Sequence, residues 1–118
     1  MTLPKPLRGE IWWVDFPPGR GSEPVGRRPA LIVQNDLANQ SQHYHNTIVV
    51  AISTAGLPVS FHIPLAPNAE NGLSGPSFIK CEQIMVITCD RLMRCIGQIS
   101  SEELRKVDYA LHRVLGID

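Results

Sequence analysis

Apolar runs in this sequence are short, and Pro, Gly and Asn separate one from the next, which is the pattern of an antiparallel β protein. The clearest run is Thr47-Ile48-Val49-Val50-Ala51-Ile52. Ile11 to Phe16 is rich in aromatic and β-branched residues and stops at Pro17-Pro18-Gly19. Ala30 to Gln34 is a further run, and Phe61-His62-Ile63-Pro64-Leu65 alternates, with Pro64 directing it to a sheet edge. Ser77 to Val86 and Cys95 to Ile99 complete six expected strands. In the fifth, period-2 geometry puts Phe78, Lys80, Glu82, Ile84 and Val86 on one face unless a bulge intervenes. One helix is expected. Ser100 and Glu103 form a capping box, and Gly116 sits where a helix ends. Leu104, Val107, Leu111, Val114 and Leu115 make an apolar stripe that docks on the sheet, while Arg105, Lys106, Asp108, His112 and Arg113 face away. These elements predict a mainly β (β+α) fold, a small bent antiparallel barrel closed by a C-terminal helix.

The 118 residues are expected to form one domain, residues 1–118, with a single core. Hydrophobic content of 43% and charged content of 19% fit an ordinary globular protein. Eleven basic and eleven acidic residues cancel, so a nucleic-acid role would need a local basic patch rather than a bulk field. No run approaches the roughly 18 apolar residues of a membrane span. The opening MTLPKPLRGE lacks a secretory h-region, and the three cysteines (Cys81, Cys89, Cys95) match no disulfide or zinc framework. The expected compartment is the cytoplasm.

The segment Gly21-Ser22-Glu23-Pro24-Val25-Gly26-Arg27-Arg28-Pro29 puts an acid and two arginines against the mouth of the second apolar run. Its glycines permit positive φ and its prolines fix φ, so the loop is bent but not slack. Pro29 biases Arg28 to an extended conformation. A guanidinium held this way suits a phosphate, since its planar fork bonds two oxygens. The competing reading is a salt bridge between Glu23 and one arginine that closes the hairpin.

Arg8-Gly9-Glu10-Ile11-Trp12-Trp13-Val14-Asp15, Gly21-Ser22-Glu23 and Arg28-Pro29-Ala30-Leu31-Ile32-Val33-Gln34-Asn35-Asp36 resemble the N-terminal half of MazF/PemK (Kid) toxins. The resemblance continues through Thr47 to Thr54, Gly72-Leu73, Ser77, Glu82-Gln83-Ile84, Asp90-Arg91-Leu92, Ile96-Gly97 and the final helix. It implies the small SH3-like barrel of the MazF/CcdB type. It also implies the toxin of a type II toxin–antitoxin system, a sequence-selective endoribonuclease of single-stranded RNA (often messenger RNA). Such a toxin works without metal or other cofactor, pairs as a homodimer and is neutralised by a cognate antitoxin protein.

In that chemistry the ribose 2′-hydroxyl attacks its own phosphorus, leaving a 2′,3′-cyclic phosphate and a 5′-hydroxyl. Arg28 matches the family's catalytic arginine before proline. The catalytic threonine falls at Ser53 by position or Thr54 by residue type. The segment Lys80-Cys81-Glu82-Gln83 matches a Cys-Asp-Gln motif whose carboxylate acts as base with a basic residue two positions earlier, so Glu82 and Lys80 inherit those roles. Glu23 is a second candidate for the base. RNA contacts are expected from Arg27, Ser22, Tyr44, Gln83 and Asn35, although Ser22 stands where one branch carries an assisting histidine. Many members read Gln-Ile-Arg-Thr where this chain has Gln83-Ile84-Met85-Val86, which removes a positive charge.

His43 and His45 lack a third ligand, so no metal is expected there. Tyr44 between them is better suited to stacking on a base. Trp12 and Trp13 cannot share a face of a strand; one is expected in the core and the other at its rim or at an interface. The three cysteines are expected in or near the core. Two rivals remain. A non-catalytic CcdB-like poison of a topoisomerase would need a C-terminal Trp-Gly-Ile, whereas this chain ends Leu115-Gly116-Ile117-Asp118. A catalytically inactive RNA-binding relative is suggested by Met85 and the zero net charge.

Overall fold

A computed structural model describes residues 2–117. Strands β1 (Glu10–Phe16) and β2 (Gly26–Ile32) are followed by a single-turn helix α1 (Asp36–Asn39), then β3 (Asn46–Ser53) and β4 (His62–Leu65). The long strand β5 (Ser77–Thr88) leads through a 3-10 turn at Cys89–Arg91 into β6 (Leu92–Gln98), and helix α2 (Ser101–Leu115) ends the chain. All pairings are antiparallel, in the order β4-β5-β3-β2-β1-β6. The expected six strands and C-terminal helix are therefore present. Barrel closure is not: among the described residues β4 and β6 remain unpaired edges of one sheet.

The central strand explains why Thr47 to Ile52 is so apolar. Val50 and Ile52 enter a core with Ile11, Leu31, Ile79 and, from α2, Val107 and Ala110. Val49 enters a second core with Val14, Ala30, Ile32 and Ile87. A strand buried on both faces has no polar phase, and each fully buried Val, Leu or Ile contributes about 1.5–3 kcal/mol. Helix α2 starts as predicted. Ser100 Oγ accepts from the Glu103 N–H at 3.1 Å, and the Ser100 N–H donates to Glu103 Oε1 at 2.8 Å. Gly116 ends it at φ +70°. Leu104 and Leu111 join the first core as expected, but Leu115 is exposed, so the stripe stops one turn early. Asp108, expected to face solvent, pairs with Arg8.

Several boundaries differ from expectation. β2 starts four residues before its apolar run, because Arg27 and Arg28 pair through their backbones with Asp15 and Val14 of β1. Ladder hydrogen bonds need no apolar side chain. Val33 and Gln34 instead leave the ladder and both donate to Ile48 O. β6 likewise begins at Leu92, with Arg94 opposite Trp13. Neither tryptophan is fully buried; β1 shifts register against β6 on both sides of Trp12-Trp13, and Trp12 Nε1 donates to Glu10 Oε1 at 3.0 Å. Cys81 and Cys89 are buried, whereas Cys95, on edge strand β6, is exposed. Burial, with the Glu82 charge as a lesser cause, pushes the Cys81 thiol up to about 12. N-ethylmaleimide should thus label the native protein on Cys95 alone, with Cys81 and Cys89 reacting only after denaturation. Mass spectrometry of tryptic peptides reads this, and early labelling of Cys81 would contradict the packing.

The period-2 expectation for β5 fails at one place. Val50 pairs with Ile84, but its neighbour Ala51 pairs with Lys80, so Cys81, Glu82 and Gln83 have no counterparts on β3. Past this bulge the phase inverts. Cys81 and Ile84 both pack on the first core, while Met85 and Ile87 pack on the second. Lys80 and Glu82 therefore do not share a face with Ile84 and Val86.

Candidate active site

The ladders bring distant residues together on one face. Ala30 of β2 pairs with Ala51 of β3. Carrying that register two residues further sets Arg28 across from Ser53. On the other side of β3, Ala51 pairs with Lys80 and Ser53 with Phe78. With strands about 4.8 Å apart and a two-residue offset along them, the Arg28 and Lys80 backbones lie roughly 12 Å from each other, within reach of two long side chains converging over β3. The loop between β1 and β2 forms the near wall. Gly21, Ser22, Glu23, Pro24, Val25, Arg28, Ala51, Ser53, Lys80 and Gln83 line the resulting cleft.

The loop is held from several directions. Gly21 and Gly26 take φ of +58° and +72°, as the sequence requires of them. The Arg20 N–H donates to Glu23 Oε1, and the Glu23 N–H donates to Arg20 O at 3.1 Å, closing a small turn. Gln83 Nε2 donates to Ser22 O at 3.1 Å, tying the β5 bulge to the loop across 61 positions. The Glu23–arginine salt bridge entertained above is not formed. Among the described residues the close acid–base contacts are the Arg8–Asp108 ion pair and the hydrogen-bonded pair His62–Glu82. Arg28 uses Nε to donate to Val25 O at 2.9 Å, which aims the guanidinium and leaves its two Nη atoms without protein partners among the described residues. Ser53 Oγ accepts from the Ala55 N–H at 3.1 Å, so its own O–H is free to donate into the cleft. Beside the Glu23 carboxylate, the cleft thus presents a hydroxyl donor and two cations without ion-pair partners among the described residues, groups able to bond the oxygens of an anion.

Other expected residues fall elsewhere. Thr54 is exposed beyond the end of β3 and does not line the cleft, and Arg27 projects from β2 into solvent opposite Asp15. Asn35 caps α1, its Oδ1 accepting from the Ala38 N–H at 2.9 Å. Tyr44 lines a separate hollow with Leu3, Lys5 and Cys89. That hollow is at the opposite end of β3, about 23 Å of strand from Ser53 at roughly 3.3 Å per residue. Among the described residues no three His, Cys, Asp or Glu side chains gather as a metal site.

Glu82 occupies the neighbouring hollow, which shares Ser22, Glu23 and Gln83 with the cleft. Its carboxylate meets His62 Nε2 at 3.0 and 2.9 Å. His62 is the residue that sequence reasoning passed over. The one available signal was a polar residue inside the apolar alternation of Phe61 to Leu65, and nothing in spacing tells that β4 lies against the bulge of β5.

The fold is shared with solved toxins. MazF from Deinococcus radiodurans superposes with a TM-score of 0.80 at 21% identity, covering 99% of this chain and 100% of that one. An endoribonuclease from Mycobacterial species, solved in complex with its cognate antitoxin, gives a TM-score of 0.77 at 25% identity over 96% of this chain and 97% of that one. In sequence, Endoribonuclease MazF9 of Mycobacterium tuberculosis is 39% identical over 108 residues, covering 88% of this chain and 91% of the relative. Residues 7–115 match the family of PemK-like, MazF-like toxins of type II toxin–antitoxin systems, and the chain belongs to that family.

Proposed function

We propose that this toxin is an endoribonuclease that cuts single-stranded RNA at short sequence motifs, without a metal ion. The observation that carries the reading is the pair of cations, Arg28 and Lys80, that flank the Ser53 hydroxyl and form no ion pair among the described residues. Arg28 bonds two oxygens of the scissile phosphate and stabilises the charge of the phosphorane. Ser53 donates to a third oxygen; Thr54, outside the cleft, is the alternative hydroxyl. The ribose on the 5′ side of that phosphate reaches into the hollow of Glu82, which takes the 2′-hydroxyl proton as the 2′-oxygen attacks phosphorus. The P–O5′ bond breaks, Lys80 delivers a proton to the departing oxygen, and a 2′,3′-cyclic phosphate remains. Glu23, on the wall of the cleft itself, is the second candidate for the base. Because the nucleophile belongs to the substrate, DNA is refused.

The natural partners in this reading are messenger RNA, a cognate antitoxin protein and a second copy of the chain. Family membership and the antitoxin-bound relative support the antitoxin. RNA contacts fall to Ser22 and Gln83 at the cleft, with Arg27, Asn35 and Tyr44 as outlying contacts to a longer strand. No helix among the described residues is long and apolar enough to cross a membrane; the reading places the toxin with its messenger RNA substrate in the cytoplasm. The test is incubation of purified protein with a long single-stranded RNA in EDTA, followed by mapping of the 5′ ends. Discrete cuts bearing 5′-hydroxyls are expected. RNA left intact at high protein concentration sinks the reading, and intact RNA that nonetheless binds identifies an inactive relative instead.

A further inference from the structure

We propose that His62 is a positioning residue that sets the carboxylate of Glu82 for proton abstraction; this rests on Glu82 being the base. The imidazole is 6% exposed and is held at both ends. The Leu57 N–H donates to Nδ1 at 3.0 Å. A ring nitrogen that accepts a backbone N–H carries no hydrogen of its own, so the other nitrogen, Nε2, is the donor. That N–H faces both oxygens of Glu82, at 3.0 and 2.9 Å. The ring plane is further set by Phe61, whose ring meets it edge-on at 5.2 Å and 81°.

The β5 bulge makes the contact possible. Glu82 has no partner on β3, and His62 pairs with Lys80 across the β4–β5 ladder, two positions from Glu82. A glutamate on a regular strand would sample several rotamers over the hollow. Here one N–H centred on the carboxylate removes that freedom beside the hollow that Glu82 shares with Ser22, Glu23 and Gln83. Effective general-base catalysis depends on this kind of fixed approach, and displacement by about 1 Å can cost up to about 100-fold in rate.

Two substitutions separate positioning from mere support of the fold, because each keeps one end of the ring's hydrogen bonding. In His62→Gln the terminal amide stands where Nε2 was and can still donate to Glu82, but nothing accepts from Leu57. In His62→Asn the amide stands where Nδ1 was and can accept from Leu57, but it falls short of Glu82. Kinetics on a short RNA substrate are expected to show kcat within about threefold of wild type for His62→Gln and lowered about tenfold or more for His62→Asn, with KM changed little in either. In a Glu82→Gln background, His62→Asn should produce no further loss. The proposal is overturned if His62→Asn cleaves like wild type, if His62→Gln is the slower variant, or if His62→Asn costs the same factor with and without Glu82. Failure of the underlying reading is seen separately: Glu82→Gln alone would then cleave normally.

Discussion

Arg28→Ala is expected to lower the rate of RNA cleavage by about 100- to 1,000-fold, the loss typical when one preorganised donor to a developing oxyanion is removed. Among the described residues the guanidinium hydrogen-bonds only through Nε, at Val25 O, which leaves its Nη atoms free to bond a phosphate. No acid among the described residues pairs with it. The same exposure predicts that folding is untouched: a solvent-facing substitution away from caps and the core usually shifts stability by less than about 0.5 kcal/mol. Arg28→Lys should recover part of the rate, since charge is retained and the bidentate fork is lost. Initial rates on a defined RNA, with a thermal melt of each variant, check both halves. A variant Arg28→Ala that melts normally and cuts within tenfold of wild type would remove Arg28 from the chemistry.

Gly97→Ala is expected to do the opposite, destabilising the fold by about 3 kcal/mol while leaving the cleft chemistry alone in whatever folded fraction survives. A Cβ at Gly97 would stand 2.2 Å from Glu70 O and 2.5 Å from the carbonyl carbon of Asn71, both of them backbone. The approach is needed because the Gln98 N–H donates to Glu70 O at 2.8 Å, and Asn71 beside it is fully buried. The loop side is equally tight: a Cβ on Gly72 would lie 2.0 Å from Ile96 O, and its φ of +68° disfavours any other residue. Neither obstacle is a flexible side chain that could swing away. For a chain of this size the loss corresponds to a fall in Tm of about 10–15 °C. Gly75→Ala is the control, because an added Cβ there meets nothing within 4 Å. If both variants melt together with wild type, the packing of this loop on β6 is wrong.

These two sites show what a sequence does and does not reveal. Ile96-Gly97 and Gly72 are visible as family motif residues, yet the reason for either glycine is a contact between segments some 25 positions apart, which no local pattern encodes. The helix was legible to its caps because Ser100, Glu103 and Gly116 act within one turn of their own position. The apolar strands were legible because β3 and the end of β2 are buried on both faces. The charged start of β2 was not, since its pairing is made by backbone groups that every residue carries. Arg28 and Lys80 could be named from motifs, but their convergence over Ser53 depends on register. Glu82 lost its expected face to a three-residue irregularity that nothing in Cys81-Glu82-Gln83 announces. His62 is a product of β4 lying beside that irregularity.

The first strand of the chain lies between β2 and the last strand, β6, and Arg8 meets Asp108 across one hundred positions. On a ribosome, β1 therefore waits with one edge open until β6, some eighty positions later, has been made, and β5 with Lys80 comes only shortly before it. A half-translated chain holds Arg28 but not the wall that faces it. A chain that stops before β5 therefore lacks Lys80 and Gln83, and with them one wall of the cleft.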